Sequence, residues 1–174
     1  MSLVNKAAPD FEANAFVNGE VKKVRLSSYR GKWVVLFFYP ADFTFVCPTE
    51  VEGFAEDYEK FKKKNTEVMS VSEDTVYVHK AWVEHDERVA KAKFPMIEDR
   101  KGIIARAYDV YNEETGNAQR GLFIINPDGI VKYVVITDDN VGRSTEETLR
   151  VLEALQSGGL CPVNWHEGQP TIKV

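Results

Sequence analysis

The sequence predicts an α/β fold, a mixed sheet with helices on both faces. Three observations carry that expectation. Trp33-Val-Val-Leu-Phe-Phe-Tyr39 is a continuous run of β-branched, aliphatic and aromatic residues stopped by Pro40, as a strand buried on both faces would be. A helical pattern follows at once, with apolar residues at Val51, Phe54, Ala55, Tyr58 and Phe61. Further on, Asn126-Pro-Asp-Gly129 separates two apolar runs, which is turn chemistry for an antiparallel hairpin.

Taken in order, Phe11 to Phe16 and Val21 to Leu26 flank Asn18-Gly19 and predict an N-terminal hairpin. The strand Trp33 to Tyr39 leads through a short loop into a helix beginning close to Cys47. Its early charges, Glu50, Glu52, Glu56 and Asp57, are acidic and its late ones, Lys60, Lys62, Lys63 and Lys64, basic, as the helix macrodipole favours. Val68 to Val71 read as a short strand. Val78, Ala81, Trp82 and Val89 read as the buried stripe of a second helix, capped by Thr75 or Asp74. Strand, helix, strand, helix is the alternation of a parallel layer. Leu122 to Ile125 and Ile130 to Ile136 form the later hairpin, and Ser144-Thr-Glu-Glu147 is a capping box for a last helix running to about Gln156, ended by Gly158-Gly159. This is the order of a thioredoxin-like fold with an N-terminal β-hairpin extension. Residues 1–174 read as one domain, with about 157–174 as a C-terminal tail.

The chain has 174 residues, long enough for a substantial core. With 22 Lys plus Arg against 27 Asp plus Glu, the net charge is −5 and there is no basic block, which argues against nucleic acid as a partner. The start lacks a basic region followed by an apolar one, and the run at Trp33 is too short to span a bilayer, so no membrane association and a cytoplasmic location are expected. Phosphate-binding glycine motifs are missing, and Cys47, Cys161, His79, His85 and His166 have no metal-ligand spacing, so neither cofactor nor metal is expected.

Chemistry concentrates at Cys47. It sits where a strand gives way to a helix, and backbone N–H groups and the dipole at a helix start favour a thiolate. A lone cysteine is more often a small buried hydrophobe, and what shifts the reading is the neighbourhood. Thr44 lies three residues before Cys47, so its hydroxyl and the sulfur can share one small space. Ionisation alone contributes little to rate: an ordinary thiol is about 3% thiolate at pH 7, and lowering its pKa also lowers its nucleophilicity. Rate must come from donors preorganised around the reacting atoms. Read alone, Arg120 is a solvated charge at a strand entrance, Glu50 a helix-start acid and Trp82 a core residue.

Phe38-Tyr-Pro-Ala-Asp-Phe-Thr-Phe-Val-Cys-Pro-Thr-Glu50 resembles the signature of the typical 2-Cys peroxiredoxins of the bacterial alkyl hydroperoxide reductase C type. Gln119-Arg-Gly-Leu-Phe-Ile-Ile-Asn-Pro-Asp-Gly129, Gly142-Arg143 and Cys161-Pro-Val-Asn-Trp165 support the resemblance, which spans about residues 7–170. It implies that Cys47 is the peroxidatic cysteine, oxidised to a sulfenic acid, and Cys161 the resolving one that closes a disulfide. It implies further that Pro40 shields the pocket, Thr44 and Arg120 bind the peroxide, Glu50 orients the arginines, Arg143 is the second arginine, and Trp82 and Trp165 line the site or the tail. The implied substrates are hydrogen peroxide and organic hydroperoxides, and the implied electron donor is thioredoxin or a flavoprotein disulfide reductase. The implied assembly is a homodimer building to a decamer.

Whether the disulfide joins two chains or lies within one is open at the level of sequence. A thioredoxin-like disulfide reductase is the rival enzyme, but it requires Cys-x-x-Cys where this chain has Thr44-Phe-Val-Cys47. A holdase on the same fold is the non-enzymatic rival. Between Tyr108 and Arg120 the chain lacks the Gly-Gly-Leu-Gly insert of some members of the family it resembles, and the resemblance therefore implies that little braces the first turn around Cys47.

Overall fold

In a computed structural model that describes residues 2–174, the chain forms nine strands and four α-helices. They are β1 (Glu12–Val17), β2 (Glu20–Arg25), β3 (Trp33–Phe38), α1 (Cys47–Lys63), β4 (Thr66–Ser72), α2 (Val76–His85), β5 (Met96–Glu98), α3 (Ile103–Ala107), β6 (Tyr111–Asn112), β7 (Asn117–Ala118), β8 (Arg120–Ile125), β9 (Val131–Thr137) and α4 (Thr145–Ser157). Seven strands make one sheet in the order β2-β1-β5-β4-β3-β8-β9. β3, β4 and β5 run parallel at its centre, while β1, β8 and β9 join antiparallel.

Alternation along β3 divides the core in two. Val34, Leu36 and Phe38 face α3, where Ile104, Ala105 and Tyr108 pack against them. Val35, Phe37 and Tyr39 face the other way, onto α1, α2 and α4 through Phe54, Phe61, Trp82 and Leu152. Both faces are therefore covered, as a central parallel strand requires. Among the described residues no helix is long and apolar enough to cross a membrane.

The turn chemistry holds where glycine is needed. Asn18 and Gly19 both adopt positive φ (46° and 93°), the geometry of a two-residue hairpin turn, and Val17 pairs with Glu20 across it. Gly129 closes the second hairpin at φ 78°, and a Cβ there would fall 2.0 Å from the Arg30 guanidinium carbon. Ser144 accepts from the Glu147 N–H and caps α4, whose C-terminus passes into left-handed Gly158. Thr75 caps α2 through the Val78 N–H, which decides between Thr75 and Asp74.

Three expectations need correction. The second helix stops at His85, where Asp86 turns extended, and Val89 lies in a separate 3-10 turn. Its buried face is Val76, His79 and Trp82, one position off the expected stripe of Val78, Ala81 and Trp82. A third parallel strand, β5, also follows it, together with α3 and the β6–β7 hairpin. Those elements are two to five residues long, too short for a period to show in sequence.

Candidate active site

The parallel strands end together, and the loop from β3 to α1 starts at that edge, the usual place for a site in an open α/β sheet. Tyr39 still bonds β4, its N–H donating to the Val71 carbonyl (3.1 Å). Pro40 and Ala41 are half-buried, and the Thr44 hydroxyl donates to the Ala41 carbonyl (2.7 Å), holding the loop to itself. α1 begins at Cys47 itself. Pro48 in the first turn has no N–H to satisfy and suits a helix start, and the Val46 carbonyl accepts from the Glu50 N–H.

Cys47 is fully buried. Arg120, the first residue of β8, reaches it from the neighbouring strand and donates from Nη1 to Cys47 Sγ at 3.3 Å and to Glu50 Oε2 at 2.8 Å. Its Nε donates to the Asp139 carbonyl (2.9 Å), which fixes the plane of the guanidinium. Glu50 lies one helical turn below Cys47, on the same side of α1. It also receives Arg143 at three points: the backbone N–H (2.8 Å) and Nε (2.7 Å) on Oε1, and Nη2 (2.8 Å) on Oε2. Arg143 further donates to the Gly121 carbonyl (2.6 Å) and stands 5.4 Å from the centre of the Phe37 ring. The side chains of Glu50, Arg120 and Arg143 are 1%, 4% and 2% exposed.

Charge counting gives this cluster its meaning. Two buried guanidiniums face one carboxylate, and one of them, Arg120, also donates to the Cys47 sulfur. Burial opposes the charge on Arg120, but hydrogen bonding and attraction to the Cys47 sulfur, with Glu50 behind them, raise its pKa above the ordinary value. The arrangement therefore keeps a charged donor fixed on the buried Cys47 sulfur.

Of the residues singled out in the sequence, Cys47, Arg120, Glu50 and Arg143 form one chain of contacts in that order, and Pro40 and Thr44 lie in the loop that leads to Cys47. Trp82 is buried behind that loop, its ring 5.9 Å from Tyr39 and 6.1 Å from Phe43. Cys161 and Trp165 are elsewhere. Cys161 Sγ lies 3.3 Å from Ser157 Oγ at the end of α4, and Gln156 there donates to the Lys64 carbonyl at the end of α1 (2.6 Å). Trp165 is buried in the tail, its carbonyl accepting from Arg150 Nη1 (2.9 Å) and its Nε1 donating to the Gln169 carbonyl (3.0 Å). Cys47 and Cys161 are both free thiols at opposite ends of α1.

Two residues with a place in the site went unnoticed in the sequence. Asp42 and His79 form a buried pair beneath the loop, Nδ1 to Oδ2 at 2.7 Å. The available signal was the three-residue spacing of His79 from Trp82, which puts both on one face of α2.

Residues 4–134 match the model of the AhpC/TSA family. Peroxiredoxin-1 of Gallus gallus is 44% identical over 180 residues, covering 99% of this chain and 90% of its own. The reduced 2-Cys peroxiredoxin of Plasmodium vivax superposes with a TM-score of 0.95 at 32% identity, covering 99% of this chain and 94% of that one. AhpC of Enterococcus faecalis gives 0.90 at 44% identity, over 93% and 100%. The chain belongs to the AhpC/TSA family, with the fold of the 2-Cys peroxiredoxins. Its activity is thiol-dependent reduction of peroxides.

Proposed function

We propose that Cys47 is the nucleophile of that reaction and Cys161 the thiol that resolves it. The observation that carries the reading is Arg120 Nη1, shared between Cys47 Sγ and Glu50. A thiolate at Cys47 attacks one oxygen of hydrogen peroxide or an organic hydroperoxide. The O–O bond breaks, water or alcohol departs with a proton, and sulfur is left as sulfenic acid. Arg120 stabilises charge on the oxygens in flight, and the Thr44 hydroxyl turns from Ala41 to the peroxide. Pro40 keeps water off the sulfur. Glu50 and Arg143 hold Arg120 in place, and Trp82 supports the loop from inside.

Condensation with Cys161 then releases water and forms a disulfide between two chains. α1 has 17 residues, about 25 Å of helix, between Cys47 at one end and the neighbourhood of Cys161 at the other. Disulfides need Cα atoms within about 7 Å, so a bridge within one chain would require the tail to leave α4 entirely. A second copy has an edge to join: β2 is guarded by Glu20, Lys22, Lys23 and Arg25, while β9 ends the sheet with Tyr133, Val135 and Ile136 along it. Phe43, Phe45 and Tyr77, 55%, 92% and 74% exposed on the loop and α2, offer a second apolar contact for assembly to a decamer. The chain works in the cytoplasm as one domain with residues about 157–174 as a tail that Trp165 pins. Thioredoxin or a flavoprotein disulfide reductase reopens the bridge.

Complementation tests the pairing. Cys47→Ser and Cys161→Ser chains coexpressed and treated with peroxide are expected to give a disulfide-linked dimer on non-reducing gels. No such dimer, with a monomeric internal disulfide in the wild type, would overturn the interchain reading.

A further inference from the structure

Between β3 and Cys47 the loop has one deep anchor. Asp42 donates its N–H to Asp74 Oδ2 (2.9 Å), accepts from the Tyr39 hydroxyl at Oδ1 (2.7 Å) and meets His79 Nδ1 at Oδ2 (2.7 Å). Asp74 is itself held by the Ser72 hydroxyl (2.8 Å). The side chains of Asp42 and His79 are both wholly buried. The next residue, Phe43, has φ 58°, a left-handed backbone that a bulky side chain keeps only where its neighbours hold it there. The anchor and the strain are adjacent, four or five residues before the reacting sulfur.

Hydrogen-bond roles locate one proton. His79 Nε2 lies 3.2 Å from the Ile97 carbonyl, which can only accept, so Nε2 carries a hydrogen. The Nδ1 contact to Asp42 then also needs a proton between its two atoms. Without it, a lone pair on nitrogen would face a carboxylate at hydrogen-bonding distance. We propose that His79 is a positioning residue of this loop: through the proton shared with Asp42 it fastens the segment ahead of Cys47, and loss of that proton loosens the first turn of α1. Because Cys47 is fully buried, a second sulfur reaches it only when that turn unwinds. The shared proton thus sets the rate of disulfide formation. This rests on the two-cysteine reading above.

The groups facing the pair are Tyr39 from the end of β3 and Asp74 from the turn after β4, while Glu98 of β5 is engaged at the start of α2, its Oε2 accepting from the Val76 N–H. Burial opposes a charged His79, but the Asp42 hydrogen bond and charge outweigh it and raise its pKa. Burial also raises the pKa of Asp42. Burial and the Asp42 charge push Tyr39 well above the usual phenol range, so it remains a donor. All three directions keep the proton in the network beyond the range of a free imidazole.

The test is stopped-flow tryptophan fluorescence of the full chain, isolating the first-order phase that follows peroxide attack. Wild type is compared with His79→Asn, whose amide offers Asp42 a donor that cannot titrate. Ionisation of Cys161 affects both proteins alike, so the ratio of their rates isolates His79. That ratio, wild type over variant, is expected to rise about tenfold between about pH 6 and about pH 9, the scale of one charged hydrogen bond. A ratio constant within about twofold overturns the proposal. His79→Leu, which leaves no donor, is expected to resolve faster than wild type at the acid end and to match it at the alkaline end. If it does not fold, the asparagine variant decides alone. Oxidation of Cys47 with no later disulfide in wild type would instead overturn the two-cysteine reading, and this proposal with it.

Discussion

Glu50 is the residue whose removal tests the buried cluster most severely. Its carboxylate accepts four hydrogen bonds, one from Arg120 and three from Arg143, among side chains no more than 4% exposed. Each bond is charge-assisted or made to a charged acceptor, but their energies do not add, because the same desolvation was already spent in burying all three groups. Glu50→Ala leaves two guanidiniums buried without the carboxylate that both of them face. Removal of one partner from a buried ion pair costs about 3–5 kcal/mol, which for a chain of this size lowers the melting temperature by roughly 6–20 °C. Glu50→Gln keeps a carbonyl acceptor for one arginine and is expected to lose about half as much. The assay is urea unfolding of the reduced protein, with the peroxide rate measured on whatever remains folded. That rate should fall at least ~tenfold, since Arg120 loses the partner that aims it at sulfur. A stability loss below about 1 kcal/mol for the alanine variant would refute the reasoning, because it would mean that the arginines find solvent as readily as they find Glu50.

Two further predictions concern a donor and an isolated acid. Arg120→Ala is expected to lower the second-order rate of peroxide reduction by about 10²–10³, the usual loss for one preorganised donor, as followed by stopped-flow fluorescence. Glu73 Oε2 accepts from the Ala118 N–H (2.9 Å), but the other oxygen is buried with no partner among the described residues. Burial, opposed by that bond and aided by the charges of Asp99 and Asp74, pushes its pKa up to about 7 from an ordinary 4.5. An acid whose folded-state pKa is raised binds its proton more tightly when folded, so its contribution is present below the ordinary value and lost as pH rises to about 7. Glu73→Gln is therefore expected to be more stable than wild type above that range and no more stable below it. Urea unfolding at the two ends of the range checks the sign.

The parts of the fold legible in sequence were those with a strong local pattern. The Trp33 run, the α1 stripe from Val51 to Phe61, the Asn18-Gly19 and Asn126 to Gly129 turns and the Ser144 capping box each place an element by chemistry that neighbours in sequence supply. β5, α3 and the β6–β7 hairpin lacked such a pattern, because they are held by contacts from distant strands rather than by their own periodicity. The same division runs through the site. Cys47 and Thr44 stand within one short segment and could be read from it, whereas Glu50 read alone is only a helix-start acid. Arg120 taken alone looked solvated, and only the pairing of β3 with β8 brings it to sulfur across 73 positions of chain. His79 looked like one of three scattered histidines, since its meaning depends on Asp42 37 residues away. The separation of Cys161 from Cys47 is likewise a property of how α4 lies along α1, to which spacing in sequence is blind.

The central claim, that peroxide is reduced at Cys47, is tested most directly by the consumption of hydrogen peroxide by purified protein with dithiothreitol as reductant. Wild type is expected to turn over continuously, and Cys47→Ser to fall to the rate of dithiothreitol alone while keeping its fold. Undiminished turnover by the serine variant would contradict the account.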